Sequence, residues 1–233
     1  VLESIGVKIV WNESTLTITP PSTFNLASID VEAARKTRSI VMFIGSLIHH
    51  LDSFSLPQSG GCKLGSRTVR PHFYALEKFG VTIETTETSY DVSTDLTAPI
   101  EVILYESGDT VTENALFAAA LTQGETTIKY ASANYMVQEV CHFLELCGVK
   151  IEGIGTTTLV VHGIKTINTD IEYTLAEDPI DAMFFLATAI VTDSEMTISR
   201  CPIEFLELEL LTLEKMGLRT TRSEVIFHTT SAQ

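Results

Sequence analysis

The sequence predicts an α/β protein built from repeated units of about 70 residues, in which helices are buried and sheets lie outside them. The first observation is a segment that recurs four times, a Leu-Glu pair followed three positions later by glycine and then an apolar residue. The second is a set of helical stretches that are apolar nearly all round, and a helix without a polar face must be buried. The third is a set of strands that alternate apolar residues with Thr, Ser or Glu, as sheets covered on one face do.

The recurring segment predicts the end of a helix. Its glycines are Gly6, Gly80, Gly148 and Gly217, and each is expected just past the helix, where a left-handed backbone is needed. A strand, a polar turn and a second strand follow each glycine. The predicted second strands include 15–19, 158–162 and 224–229.

A second element alternates with the first and reads as a helix, a tight turn and a strand. The three predicted pairs are 38–51 with 53–56, 113–122 with 126–130, and 181–191 with 195–199. The apolar stretches at 40–48, 115–121 and 182–190 predict buried helices. Three full units result, at about 21–93, 94–164 and 165–233, and residues 1–20 resemble the end of a fourth.

Composition limits the possible partners and the compartment. The 233 residues carry a net charge of -15, which argues against a nucleic-acid or anionic-membrane surface. No apolar run approaches the roughly 18 residues of a membrane span, and the first residues do not resemble a signal peptide. The four cysteines have no CxxC spacing, so we expect a cytoplasmic protein with Cys141 and Cys147 in the core and no metal site.

The segment 59–67, Ser-Gly-Gly-Cys-Lys-Leu-Gly-Ser-Arg, predicts a reactive thiol in an anion-binding loop. Glycines allow close approach to a ligand, and neighbouring cations lower the pKa of a thiol such as Cys62. The stretch from Arg35 to Lys78 holds seven cations and two carboxylates in this acidic chain. A small anion such as a phosphate or a carboxylate suits this confined basic patch, although a solvated charged helix face around 35–38 is the alternative.

These motifs resemble the UDP-N-acetylglucosamine enolpyruvyl transferases of the EPSP synthase-like superfamily. The Gly-Gly-Cys segment at 60–67 is similar to the catalytic loop of that family, and the likeness covers essentially the whole chain. The other matching positions are Val69, His72, 76–80, 36–39, 112–114 and 118–119.

The resemblance implies an inside-out α/β barrel with a ligand cleft between two domains, here 1–164 and 165–233. It also implies transfer of enolpyruvyl from phosphoenolpyruvate to a hydroxyl of a nucleotide sugar, UDP-N-acetylglucosamine, with release of phosphate. This reaction begins peptidoglycan precursor synthesis in the family and needs no cofactor. Family members are nearly twice as long, so a second chain supplying further repeats is one interpretation.

The resemblance also implies roles for individual residues. Cys62 matches the loop cysteine that adds to or protonates phosphoenolpyruvate and that fosfomycin alkylates. Arg38 and Arg67 match arginines that hold the anionic substrates, as planar guanidinium groups do. The catalytic aspartate corresponds to Glu177 or Asp178. The expected substrate-binding residues are Gly61, Lys63, Gly65, His72 and Thr110.

Several departures from the family pattern leave alternatives open. The segments at 108–110 and 132–135 differ from those that bind the nucleotide sugar in the family, so a transferase for another hydroxyl acceptor is one alternative. A catalytically idle relative that serves as a binding module is another. Glu177, Asp178 and Asp181 also fit an acidic helix N-terminus, stabilised by the helix dipole.

Overall fold

The computed structural model describes residues 1–60, 68–222 and 226–230, and for 222 and 226–230 it describes the backbone only. The chain divides into two compact units, Val1–Ile171 and Glu172–Gln233. The domain boundary expected after residue 164 stays a prediction.

The first unit contains nine of the described strands and five α-helices. The strands are β1 (Lys8–Asn12), β2 (Thr15–Thr19), β3 (Ser53–Pro57), β4 (Val81–Thr85), β5 (Ser89–Thr94), β6 (Glu101–Ile103), β7 (Gly124–Lys129), β8 (Lys150–Glu152) and β9 (Thr158–Gly163). The helices are α1 (Val31–Arg35), α2 (Phe43–Leu47), α3 (Arg70–Glu77), α4 (Asp109–Ala120) and α5 (Tyr135–Leu146). Short 3-10 helices cover Glu3–Ile5, Leu26–Ser28 and Arg38–Met42.

The strands of the first unit form three sheets. Strands β1 and β2 make an exposed antiparallel hairpin, and a second sheet has the order β3-β5-β4. The third sheet has the order β6-β7-β9-β8, with β6 parallel to β7 and the other pairs antiparallel. Buried and exposed residues alternate along β3 and β5, which confirms that one face of their sheet is covered.

Helix α4 lies at the centre of the core and packs against α2, α3 and α5. Its apolar residues Ala115, Leu116, Ala118 and Ala119 are buried, so the predicted burial of this helix is confirmed. Small alanine side chains allow the neighbouring helices to approach it closely. The same helix also buries two polar residues, Thr112 and Asn114, which have hydrogen-bond partners.

The predicted conformation of the four repeated glycines is confirmed. Gly6, Gly80, Gly148 and Gly217 have φ angles of 101°, 80°, 98° and 106°. Each follows a helix, and this left-handed conformation costs glycine no clash with a Cβ atom.

The predicted helix at 38–51 is wrong in its length and continuity. The structure has a 3-10 helix at Arg38–Met42 followed by α2, which ends at Leu47. The side chain of Asn114 inserts between the two, because Gly45 N–H donates to its Oδ1 and its Nδ2 donates to the Val41 carbonyl. A side chain inserted between such backbone partners interrupts a helix.

The second unit is smaller. It contains α6 (Pro179–Val191), α7 (Glu207–Lys215), a 3-10 helix at Ile203–Phe205, and strands β10 (Met196–Ser199), β11 (Arg219–Arg222) and β12 (Ile226–Thr230). The strands pair antiparallel in the order β10-β12-β11. The buried cluster of this unit consists of Ala182, Leu186, Ile198, Leu206 and Leu210.

The prediction that the 182–190 helix is buried all round is wrong for this unit. One face of α6 is buried at Ala182, Leu186 and Ala189, and the first two of these belong to the small cluster. Phe184 and Val191 are exposed by 66% and 85%, so the described residues cover one side of this helix and leave the other open. Among the helices of the described ranges, none combines the length and apolar character needed to cross a membrane.

Candidate active site

The predicted catalytic segment lies partly outside the described residues. Five of the expected site residues fall there, namely Gly61, Cys62, Lys63, Gly65 and Arg67. The structure describes both ends of the segment, at Gly60 and Thr68, and these ends define the candidate site.

The first end follows β3 and lies against α1. A Cβ atom on Gly60 would stand 1.4 Å from the carbonyl oxygen of Arg35, so only glycine fits at this approach. The hydroxyl of Ser59 lies 3.2 Å from the phenol oxygen of Tyr90 on β5. The glycine-rich entry to the segment is therefore held against the C-terminal end of α1, at Arg35.

The second end precedes α3 and lies beside Arg38. The Nη2 group of Arg38 donates to the carbonyl oxygen of Thr68 over 3.4 Å. The hydroxyl of Thr68 accepts from the backbone N–H of Arg70, at the start of α3. Pro71 occupies the first turn of this helix, where the missing N–H costs no helical hydrogen bond.

Three of the predicted site residues lie together at this end. His72 is 4% exposed, with its Nε2 atom 3.4 Å from the Thr110 hydroxyl and its Nδ1 atom 3.2 Å from Nδ2 of Asn114. Burial, and secondarily the positive charge of Arg38, lower the pKa of His72 from 6.5 to about 4. The imidazole is therefore neutral near pH 7, and Arg38 supplies the positive charge beside it.

Asn114 is a residue of this site to which the sequence analysis gave no role. The available signal was its place in the 112–114 segment that matches the family, directly before the apolar residues 115–120 of α4. Buried amides are retained where their hydrogen bonds are satisfied, and Asn114 bonds to Gly45, Val41 and His72.

The two segments that depart from the family pattern contact each other. Asp109 accepts from the Ser132 hydroxyl over 2.6 Å and from the side-chain amide of Asn134 over 3.0 Å. The backbone N–H of Ser132 donates to the hydroxyl of Thr112. These bonds tie the N-terminus of α4 to the N-terminus of α5, so the segments 108–110 and 132–135 form one continuous surface.

Glu113, one helical turn from Asp109, is a second residue that the sequence analysis left without a role. Burial and the neighbouring charge of Asp109 raise the pKa of the Glu113 carboxyl. A carboxyl with a raised pKa close to a site is a candidate acid or base.

The acidic residues predicted for catalysis lie in the second unit. Glu177 forms an ion pair with Arg200, and Asp178 accepts the backbone N–H of Ile180 over 2.8 Å as the N-cap of α6. Together with Asp181 and Cys201 they line an open pocket of about 220 Å³. The capping bond agrees with the alternative interpretation of these residues as an acidic helix N-terminus.

The cysteines of the described ranges do not have the environment of a nucleophile. Cys141 and Cys147 are buried as predicted, and burial raises the pKa of Cys141 to about 12. Burial also raises the pKa of Cys147 and of Cys201. Within 1–60 and 68–222, no three His, Cys, Asp or Glu side chains come together as a metal site.

Comparison with known proteins gives consistent matches. A family model described as EPSP synthase (3-phosphoshikimate 1-carboxyvinyltransferase) matches residues 1–232. A Bradyrhizobium diazoefficiens protein named UDP-N-acetylglucosamine 1-carboxyvinyltransferase is 30% identical over 93% of this chain and 50% of its own length. A protein of the same name from Chlorobium luteolum is 31% identical over 98% of this chain and 54% of its own length. The chain thus spans about half the length of these relatives.

Two solved structures resemble the chain in fold. The enolpyruvyl transferase NikO from Streptomyces tendae has a TM-score of 0.81 at 19% identity, over 98% of this chain and 55% of its own. An EPSP synthase from Acinetobacter baumannii has a TM-score of 0.64 at 17% identity, over 99% of this chain and 55% of its own. At these identities the likeness shows that the chain shares the mixed α/β fold of both structures.

Proposed function

Since the chain belongs to the EPSP synthase family, we propose that it transfers enolpyruvyl from phosphoenolpyruvate to a hydroxyl group of UDP-N-acetylglucosamine and releases phosphate. The names of the relatives at 30% and 31% identity support this acceptor. The proposal includes an inside-out barrel of repeated units of about 70 residues, with a domain boundary near residue 164. A second chain supplies the further repeats. It places the protein in the cytoplasm.

The observation that carries the proposal is the position of Arg38. Its guanidinium bonds to Thr68 at one end of the Gly-Gly-Cys segment, and Gly60 at the other end lies against Arg35. A planar guanidinium pairs with the carboxylate or phosphate of phosphoenolpyruvate through two parallel hydrogen bonds. The described ends of the segment thus place a cation, Arg38, where it can pair with this anionic substrate.

The reaction assigns a role to each group. Arg38 and Arg67 bind the phosphoenolpyruvate anion, with Lys63 and the backbone at Gly61 and Gly65 around it. The Cys62 thiol donates a proton to the methylene carbon while the acceptor oxygen attacks the adjacent carbon. The Cys62 thiolate then takes a proton back from the new methyl group, the electrons of that C–H bond form the double bond as the C–O bond to phosphate breaks, and the thiol is regenerated.

A carboxylate must accept the proton of the acceptor hydroxyl. We assign this role to Glu177 or Asp178, as the resemblance implies. His72 and Thr110 complete the expected set and lie with Arg38 in the first unit, where the buried His72 contributes by holding Thr110 in place rather than by contact with substrate.

One observation favours a second candidate, transfer to a different hydroxyl acceptor. Asp109 accepts hydrogen bonds from Ser132 and Asn134, so polar groups of the segments 108–110 and 132–135, which differ from the family pattern, are bonded to each other. A surface with internally satisfied polar groups offers fewer of them to a nucleotide sugar. The second candidate keeps phosphoenolpyruvate as donor and changes only the acceptor.

The test is phosphate release from phosphoenolpyruvate by the purified protein, with the chain that supplies the further repeats present, and with and without UDP-N-acetylglucosamine. The account predicts release that depends on this acceptor, loss of release in Cys62→Ser and normal release in Cys147→Ser, whose cysteine lies at the C-terminal end of α5, opposite the 132–135 segment. Release with another hydroxyl compound, such as shikimate 3-phosphate, and not with the nucleotide sugar would establish the second candidate. Binding of phosphoenolpyruvate without release for any acceptor would identify an idle binding module and contradict the proposal.

A further inference from the structure

The side chain of Asn114 takes the place of a backbone hydrogen bond. In a continuous α-helix the N–H of Gly45 would donate to the carbonyl of Val41, four residues earlier. Here Gly45 N–H donates to Oδ1 of Asn114 over 2.8 Å, and Nδ2 of Asn114 donates to the Val41 carbonyl over 3.1 Å. The fully buried amide of α4 is thus inserted into the turn that joins the 3-10 helix to α2.

These two partners fix the orientation of the Asn114 amide. A backbone N–H can only donate, so the atom facing Gly45 is the oxygen, and a carbonyl can only accept, so the atom facing Val41 is the nitrogen. The amide nitrogen has two hydrogens, and one of them is used at Val41. The second is left for the Nδ1 atom of His72, 3.2 Å away.

The fixed amide in turn determines where His72 carries its proton. An Nδ1 atom that accepts a hydrogen bond has no hydrogen of its own, so in the neutral ring the proton is on Nε2. The Nε2–H group faces the hydroxyl oxygen of Thr110 on the first turn of α4. The charged group that acts on the ring is Arg38, and its positive charge opposes a second proton.

We infer that Asn114 is a positioning residue that holds His72 as the neutral Nε2–H tautomer and thereby anchors the first turn of α3 against α2 and α4. The inference rests on the proposed function, because α3 begins at Arg70, two residues after Thr68 at the end of the Gly-Gly-Cys segment that the proposal makes the substrate site. Asn114 acts through His72 and the helices, not by contact with a substrate. Its role is to keep this end of the segment, and the N–H donor beside Arg38, in one position.

The direct test is the nitrogen NMR spectrum of the imidazole in the full chain. With 15N-labelled histidine at pH 7, His72 is assigned by the signals lost in His72→Asn. The inference predicts one unprotonated ring nitrogen at Nδ1 and one protonated nitrogen at Nε2. A proton on Nδ1, or on both nitrogens, would overturn it, and this measurement needs no variant of Asn114.

A variant tests the cause. Asn114→Asp keeps the shape and the acceptor for Gly45 but removes both donors, so a carboxylate faces Nδ1. We expect the His72 proton to move to Nδ1 or the ring to become charged, and its titration midpoint to rise by about one pH unit or more. The matched control is Asn12→Asp in the exposed hairpin, which leaves the His72 signals unchanged. An unchanged Nε2–H tautomer in folded Asn114→Asp would contradict the inference.

A substrate measurement separates this inference from the proposed function. If both hold, Asn114→Asp binds phosphoenolpyruvate several-fold more weakly than the unsubstituted chain, and Asn12→Asp binds it equally well. Failure of the unsubstituted chain to bind phosphoenolpyruvate would count against the proposed function and leave the tautomer assignment standing. Equal binding by Asn114→Asp with an altered tautomer would overturn the positioning role.

Discussion

At the scale of single residues, the buried polar side chains are of two kinds. Some form hydrogen bonds within or beside their own helix, and others form hydrogen bonds between separate elements. Thr112 and Thr122 bond to carbonyls four residues earlier in or beside their own helix. His72 and Asn114 instead connect α3, α4 and the turn before α2. A connected buried pair is more sensitive to changes than a local bond, because removing one partner leaves a buried group unsatisfied.

The first prediction concerns the pH dependence of stability. The pKa of His72 is about 4 in the folded chain against 6.5 as the ordinary value, so the unfolded state binds the proton first. The stability contribution is complete above about pH 6.5 and is lost as the pH falls toward 4. The full loss corresponds to roughly 3 kcal/mol.

The check is chemical denaturation between pH 4 and 7.5, with His72→Asn as reference. The amide oxygen of Asn accepts near the position of Nδ1 but does not titrate, so the difference in unfolding free energy between the two proteins isolates the imidazole. A difference that stays constant over this range would show that His72 is not buried as a neutral ring.

The second prediction concerns the entry to the Gly-Gly-Cys segment. Gly60→Ala would place a Cβ atom 1.4 Å from the Arg35 carbonyl oxygen, so the backbone must move. We expect a loss of about 1–3 kcal/mol in unfolding free energy and weaker phosphoenolpyruvate binding. The control is Gly108→Ala, whose Cβ approaches the end of the flexible Glu106 side chain at 3.1 Å and otherwise makes ordinary contact with Val111 at 3.5 Å. Equal effects of both substitutions would refute the close approach at Gly60.

At the scale of elements, the sequence predicted the helix ends more accurately than the contacts that each helix makes with its neighbours. The glycines that end helices and the burial of α4 followed from local chemistry, namely backbone strain and the lack of a polar face. The interruption between Arg38–Met42 and α2 did not, because it depends on an amide 69 residues away from Gly45. Burial of α6 was overestimated because an apolar pattern does not say how many neighbours a helix has.

The same limit applies to the candidate site. Arg38, His72 and Thr110 were predicted from motifs, and the structure places them together. The role of Asn114 could not be predicted, because partners on three separate segments define it. The assignments of Cys62, Lys63, Arg67, Gly61 and Gly65 lie outside the described residues and stay predictions.

The third prediction concerns the two faces of α6. Leu186 is 1% exposed in the small cluster of the second unit, whereas Phe184 on the same helix is 66% exposed. Leu186→Ala should cost about 2–5 kcal/mol of unfolding free energy in this unit, and Phe184→Ala little. Denaturant unfolding of the two variants compares the faces directly, and a larger loss for Phe184→Ala would contradict the described orientation of the helix.

At the scale of the whole molecule, most of the buried apolar side chains that the structure describes belong to the first unit. Its core draws on α1 to α5 and on strands of two sheets, whereas the buried cluster of the second has five residues within 172–221. A small unit buries too little apolar surface to be very stable alone. The stability of the two units should therefore differ.

The fourth prediction follows from this difference. A fragment of residues 1–171 should unfold cooperatively, with nearly the stability that the first unit has in the full chain, whereas 172–233 alone should unfold without a sharp transition. Circular dichroism during thermal unfolding of both fragments provides the measurement. Loss of cooperative unfolding in 1–171 would mean that the large core depends on the second unit.

The central claim is that the Gly-Gly-Cys segment is a phosphoenolpyruvate site with a reactive Cys62 and a nucleotide-sugar acceptor beside it. The most direct measurement is the intact mass of the chain after reaction with fosfomycin, with and without UDP-N-acetylglucosamine, followed by peptide mapping. The account predicts a single adduct on Cys62 that forms faster with the nucleotide sugar, and none on Cys141, Cys147 or Cys201. Absence of the adduct, in a chain whose Cys62 still reacts with iodoacetamide, would contradict the account.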